Sequence, residues 1–295
     1  MKTILLTGAS GRIGRCLRLA LRNDYRLVLF NRSAIGDLGP NETLIRGDTT
    51  DAESVERATR GVDAIVDMAG GSDVQSFREK LLPVNILGTY NVFEAARIAG
   101  VPRVVYASTH HVVGYYPAGQ IIDEAVPIRP DGMYAVTKCF AEAMGRLYAE
   151  KAGLSVVCLR IGFFQDRPLE ERHLAVWISP ADMTQLVRCA VEAPGIQYEV
   201  VYGVSNNTRR WWDLARARDV LGYAPQDDAE VYAAELLKVP PAAWIERIRW
   251  QGGSKVDLPF MPWVPARRRR RPPPHVPSSP LVLTPPAKYC VSQIR

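Results

Sequence analysis

A chain of 295 residues, 47% hydrophobic and 23% charged, is long enough for one large domain with a substantial core. Its formal net charge of +6 is local: residues 264–295 hold seven of the 37 lysines and arginines and no acid, leaving 30 bases against 31 acids in residues 1–263. A near-neutral body argues against a nucleic-acid surface, and no segment approaches a membrane span.

Met1-Lys2-Thr3 enters a strand directly, so a cytoplasmic enzyme without a signal peptide is expected. The scattered cysteines 16, 139, 158, 189 and 290 lack C-x-x-C spacing and paired histidines. They predict buried free thiols, with no disulfide framework and no metal site.

In chain order, Thr3-Ile4-Leu5-Leu6-Thr7 reads as a buried strand leading into Gly8-Ala9-Ser10-Gly11-Arg12-Ile13-Gly14 and a helix to about Asn23. A strand, a glycine turn and a helix place a pyrophosphate on the free N–H groups at the helix's positive end. Gly8, Ser10, Gly11, Arg12, Ile13 and Gly14 are therefore candidate cofactor contacts. Further strands are predicted at Leu27–Phe30, Thr43–Arg46, Ala64–Asp67, Val104–Ala107 and Ser155–Leu159. Helices are predicted at Asp51–Arg60, at Leu87–Ala99 after the interrupting Pro83, and at Met133–Ala152. This alternation predicts an α/β fold, a Rossmann-type doubly wound parallel sheet.

After residue 160 the alternation weakens. Ser179-Pro180-Ala181-Asp182 signals an N-cap, a first-turn proline and an acid opening a helix to about Glu192. A small substrate lobe is expected from about 161 to 263. The last 37 residues hold ten of the 22 prolines, and five consecutive arginines occupy 267–271. Residues 264–295 are therefore expected to be a disordered tail, dispensable for catalysis.

Several residues sharpen the cofactor reading. An acid at the end of the second strand would accept bonds from a ribose 2′-OH. This chain has Asn31 and Arg32 there, with Arg12 in the glycine turn, so NADP is expected to serve at least as well as NAD. Asp48 either bonds the adenine amine or caps the following helix, and the small residues Ala69 and Gly70 let the backbone lie close to a dinucleotide. Tyr134 and Lys138, four apart on a helix, are neighbours. A nearby ammonium favours the ionised phenol, which makes the pair a proton-transfer device.

Together with these elements, Ser108-Thr109-His110-His111, Gly114-Tyr115-Tyr116-Pro117, Arg129-Pro130-Asp131-Gly132-Met133-Tyr134, Leu159-Arg160-Ile161-Gly162, Trp211-Trp212-Asp213 and Gln251-Gly252-Gly253 carry a family resemblance. Over about residues 2–260 the chain resembles the extended short-chain dehydrogenases/reductases of the NAD-dependent epimerase/dehydratase family, specifically the uronate dehydrogenases. The resemblance implies an NAD(P)-dependent oxidation of the anomeric hydroxyl of a hexuronate or related aldose to its lactone, by a homo-oligomer.

In that scheme Tyr134 is the base, Thr109 bonds the reacting oxygen, Lys138 binds the nicotinamide ribose and Asn85 holds a proton-relay water. Ser72, His111 and Arg172 would hold the sugar acid, Arg172 gripping the carboxylate. Two positions depart from the family: His110 replaces an asparagine and Phe163 a serine, both expected to line the sugar pocket. Trp211 and Trp212 read as a packing anchor. A nucleotide-sugar epimerase or dehydratase would need a larger lobe. A non-catalytic dinucleotide-binding regulator would have no use for a tuned base.

Overall fold

The inner strands of this chain are apolar on both faces, the pattern of a parallel sheet covered by helices on either side. The computed structural model describes residues 1–72, 76–240 and 243–259; the tail expected over 264–295 lies outside the described residues. The chain runs β1 (Thr3–Thr7), α1 (Arg12–Leu21), β2 (Arg26–Asn31), β3 (Glu42–Arg46), α2 (Ala52–Thr59) and β4 (Ala64–Asp67). A π-helix (Phe77–Gly88) leads into α3 (Thr89–Ala99), β5 (Arg103–Thr109), α4 (Met133–Ala152) and β6 (Ser155–Ile161). Then come β7 (Phe163–Phe164), α5 (His173–Val176), β8 (Trp177–Ile178), α6 (Pro180–Glu192), β9 (Tyr198–Gly203) and α7 (Ala215–Leu221).

The main sheet has the order β3-β2-β1-β4-β5-β6-β9 with every pairing parallel. Strand order reverses between β1 and β4, and the crevice beyond their C-terminal ends is where such sheets bind ligands. Side chains alternate across the sheet. Ile4, Leu6, Val105, Val157 and Leu159 face α1, α6 and α7 through Leu17, Leu21, Leu186 and Leu221. Leu5, Val104, Tyr106 and Val156 face α2, α3 and α4 through Val55, Val92, Phe93, Ala141 and Met144.

The helix signals act as read at α6, where the Ser179 hydroxyl accepts from Asp182 N–H and Pro180 opens the first turn. Two expectations change. The α-helix expected after Pro83 begins at Thr89, but it is preceded by a π-helix that contains Pro83, whose i→i+5 pattern differs from the α ladder that a proline interrupts. The sheet also gains a seventh strand, β9, at its edge, where Tyr-Glu-Val-Val-Tyr-Gly is only half-buried at its start and lacks the unbroken apolar run of an inner strand.

Beyond the sheet, Val112, Val113, Ile122, Trp211, Trp212 and Trp244 form a separate buried cluster with Tyr202 and Val204 of the last strand and its loop. Trp211 and Trp212 are thus the packing anchor expected of them.

One buried ion pair joins α4 to the strands. Arg160 on β6 donates to Glu142 from Nε at 3.1 Å and Nη2 at 2.9 Å, and the Ser108 hydroxyl donates to the same carboxylate at 2.6 Å. Removing one partner of such a pair strands the other in a dry environment. Glu142→Ala should therefore cost about 3–5 kcal/mol in denaturant unfolding. A loss below about 1 kcal/mol would mean the pair behaves as if exposed to water.

Candidate active site

At the switch point, Gly8, Ser10, Gly11, Asn31, Arg32, Asp48, Ala69 and Gly70 line one pocket, with Phe30, Gly47, Thr49, Met68 and Val84 completing it. Gly8 is held at φ +62°, and a Cβ there would stand 2.8 Å from the Met68 carbonyl oxygen. That close approach explains why the turn needs glycine. The N-terminal end of α1 has no side-chain cap and no acid in its first turn, so its N–H groups are free for a phosphate. These features fit a dinucleotide.

Of the other glycine-turn residues, Gly14 packs against the Gly8 backbone, Ile13 against the core, and Arg12 is exposed. Asn31 accepts from the Ser10 hydroxyl at 2.8 Å and donates to the Ser33 carbonyl at 2.9 Å. Arg32 is 3.8 Å from Asp48. Asp48 does not cap α2: Asp51 does, accepting from Ser54 N–H, while Asp48 accepts from Thr50.

Behind the pocket lies α4, which carries Tyr134 and Lys138. Lys138, 3% exposed, donates from Nζ to the Ala107 carbonyl at 2.7 Å and to the Tyr106 hydroxyl at 3.1 Å. The same Nζ is 5.7 Å from the Tyr134 ring centroid, and a Cβ on Gly70 would stand 3.4 Å from it. The lysine therefore bridges the cofactor pocket and the phenol. Burial lowers its pKa to about 8, opposed chiefly by the charge of Asp67. Asp67, at the end of β4, receives a short hydrogen bond from Thr7 Oγ1, which itself accepts from Met68 and Ala69 N–H. Asn85 accepts from Gly71 N–H at 2.6 Å and donates to Thr137 Oγ1 at 3.0 Å, tying the Gly70-Gly71 turn to α4.

On the substrate side, rings form a column that ends at the phenol. Tyr202 stacks on Trp212 (centroids 5.4 Å apart), Trp212 meets His110 at a tilt of 36° (5.0 Å) and His110 meets His111 at 35° (4.1 Å), and His111 meets Tyr134 edge-on (6.5 Å). His110 is 4% exposed and lies beneath His111, with its Nδ1 bonded to the Ile161 carbonyl at 2.9 Å. Burial holds it well below the ordinary histidine pKa, so it is neutral. Its Nε2 is buried with no protein partner.

Thr109, buried at the end of β5, accepts from His111 N–H at 3.3 Å, and His111 Nδ1 is 2.6 Å from Asp131 Oδ2. In the sequence Asp131 is legible only as part of R-P-D-G; its pairing with His111 across twenty residues follows from the path of the loop between them.

Arg172 is not a surface residue. Its side chain is 11% exposed, lies 3.5 Å from Glu170, and donates from Nη1 to the Gln251 carbonyl at 2.8 Å. Gly253, at φ +64°, leaves the space this guanidinium occupies. Phe163 is half-buried and stacks on His173 at 3.4 Å, a histidine absent from the sequence reading. Ser72 is exposed, next to the Gly71 that Asn85 holds. Cys139 packs beside Trp212's cluster with its thiol pushed up to about 12 by burial, unsuited to a catalytic role.

The Lys138 site gives a sign that can be measured. Its cation titrates near 8 in the folded chain and at the ordinary lysine value when unfolded, so between those values the unfolded chain binds more protons. The penalty is fully present below pH 8 and is relieved as pH rises above it. Relative to Lys138→Met, the native protein should gain stability on the order of 2–3 kcal/mol between pH 7 and 10 in denaturant titrations. A difference independent of pH would show that the ammonium is not buried.

Comparison with known proteins agrees with this geometry. The model of the NAD dependent epimerase/dehydratase family matches residues 4–164. A uronate dehydrogenase of Agrobacterium fabrum (strain C58) is 38% identical over 263 residues, covering 88% of this chain and 98% of the relative. The crystal structure of uronate dehydrogenase from Agrobacterium tumefaciens superimposes with a TM-score of 0.80 at 38% identity, covering 88% of this chain and 98% of that one. A tyrosine-to-alanine mutant of the latter, complexed with NAD, gives 0.81 at 38% identity, covering 88% and 99%. The chain belongs to the NAD-dependent epimerase/dehydratase family, and within it to the group of the uronate dehydrogenases.

Proposed function

We propose that this protein oxidises the C1 hydroxyl of a hexuronate, in its ring form, to the lactone. The observation that carries this reading is the buried Lys138 ammonium, which stands beside the Tyr134 ring and touches the edge of the cofactor pocket. Tyr134 as phenolate takes the hydroxyl proton while the C1–O bond becomes a carbonyl, a general-base step typically worth about 10²–10⁴-fold. The C1 hydrogen leaves with its electron pair, and the dinucleotide, when bound, supplies the acceptor for that hydride.

Thr109 already accepts the His111 N–H. Its own O–H is left to donate to the reacting oxygen. Lys138 serves twice, biasing Tyr134 toward phenolate and presenting an N–H to the nicotinamide ribose. Arg172, packed against Gly253 and pinned to Gln251, offers a pre-oriented fork to the sugar carboxylate. His111, Ser72, His110 and Phe163 complete the sugar side, with Phe163 and His110 replacing polar groups of the family.

We further propose that NADP is accepted alongside NAD. No carboxylate stands at the end of β2, and the Arg32 side chain, 69% exposed, is within reach of a 2′-phosphate. Asp48 competes for that guanidinium. The protein is expected to act in the cytosol as a homo-oligomer. Cys16, Cys139, Cys158 and Cys189 are free thiols, in keeping with a reducing compartment. Among the described residues no helix is long and apolar enough to cross a membrane.

A panel of uronates, neutral aldoses and sugar phosphates, each with NAD and NADP and followed at the nicotinamide absorbance, tests the assignment. Arg172→Ala should lower kcat/KM for a uronate by about 10- to 150-fold, the value of a charge-assisted hydrogen bond, and barely change it for a neutral aldose. Equal losses, or an unmodified enzyme that prefers the neutral sugar, would sink the hexuronate reading. Arg32→Ala should weaken NADP more than NAD; equal effects would remove Arg32 from the 2′-phosphate site.

A further inference from the structure

Three separate stretches of the chain close around one carboxylate. Gly114 of G-Y-Y-P and Gly252 of Q-G-G both press on Asp131 so closely that a Cβ on either would overlap its Oδ2. Gly252 N–H donates to the Gly114 carbonyl at 2.9 Å, and both Gly114 and Asp131 donate N–H to the His111 carbonyl at 3.2 Å. The Asp131 side chain is left 4% exposed, with its Oδ2 2.6 Å from His111 Nδ1. Such a box is not needed to hold a loop, because the backbone bonds already do that. Its effect is to fix one carboxylate oxygen against one ring nitrogen.

We propose that Asp131 is a positioning residue which sets the tautomer of His111, so that His111 Nε2 serves as a hydrogen-bond acceptor for a donor hydroxyl of the sugar. The inference rests on the proposed function above and deepens it. A carboxylate only accepts, so in the neutral ring Nδ1 carries the hydrogen and Nε2 keeps its lone pair. His110 lies against His111 at 4.1 Å with the rings tilted by 35°, and Tyr134 stands edge-on to it at 6.5 Å, so the ring is packed on two sides.

With Nδ1 held by Asp131, Nε2 is the ring nitrogen left for a ligand beside Tyr134, and the side chain keeps 12% exposure. It recognises a free hydroxyl and rejects one that is phosphorylated or acylated, because neither has a hydrogen to give and a phosphate adds negative charge near Asp131. Arg172 feels the same carboxylate, so Asp131 holds the acceptor for a hydroxyl and steadies the cation for the acid group.

The test is a double-mutant cycle with one direct reading. Asp131→Asn keeps the shape, and with its N–H₂ turned to Nδ1 it moves the hydrogen to Nε2. It should lower kcat/KM on the best substrate by about 10- to 150-fold, mainly through KM, with cofactor affinity unchanged. In a His111→Ala background the same change should cost less than about threefold, because the tautomer it sets is gone. Equal losses in both backgrounds, or no loss from His111→Ala alone, would overturn the proposal.

Histidine-labelled ¹⁵N spectra read the ring itself, in a chain with four histidines. Nδ1–H for His111 in the native protein and Nε2–H in Asp131→Asn are expected; Nε2–H in the native protein overturns the assignment whatever the kinetics. The cycle can be run on whichever sugar turns over, so failure of the hexuronate reading in the substrate panel is distinguishable from failure here.

Discussion

A lysine ammonium held out of water at the C-terminal edge of the sheet is the constraint on which the site depends. Burying that charge is costly, and the fold meets it with groups from four neighbouring elements: the Ala107 carbonyl and Tyr106 hydroxyl of β5, the Asp67 charge at the end of β4, the Tyr134 ring one turn up its own helix, and the Gly70 turn in front. Asp67, Tyr106 and Ala107 are fixed by the parallel registers of β4, β5 and β6. The Arg160–Glu142 pair then locks α4 to those strands. Catalytic geometry here is therefore a property of the sheet edge more than of any loop.

The substrate side is built differently. Its residues come from the loop after β5, the loop before α5 and the last described segment, and what unites them is a column of rings and one boxed aspartate. The family departure at His110 belongs to this column. A neutral imidazole beneath His111 adds ring contact where an amide would have had none, and commits its Nδ1 to the Ile161 carbonyl. Phe163, laid flat on His173, does the same on the other side.

What was legible in the sequence was what depends on local spacing. The glycine turn, the strands β1 to β6, the Ser179 cap and the Tyr134/Lys138 pair each declare themselves within a few residues, and the structure puts them where that spacing says. The misses are long-range or contextual. Nothing near Asp131 announces His111 twenty residues away, because pairing across a loop is decided by the loop's path. β9 hides because an edge strand need not be apolar throughout. Of the two roles open to Asp48 in the sequence, the cap falls instead to Asp51, which accepts from Ser54 N–H.

The π-helix around Pro83 has a consequence for how this region tolerates change. A wider turn is what an α-helix becomes when it absorbs an additional residue, and here it ends by pointing Asn85 at Gly71 and Thr137. Removing one residue upstream of Asn85 would return the segment toward α register and swing that side chain by about 100° around the axis. The amide would then leave the turn that lies over Lys138. Between β4 and α3, chain length matters more than residue identity. Substitutions on the exposed face of this segment are cheap, whereas single-residue insertions and deletions reach the active site directly.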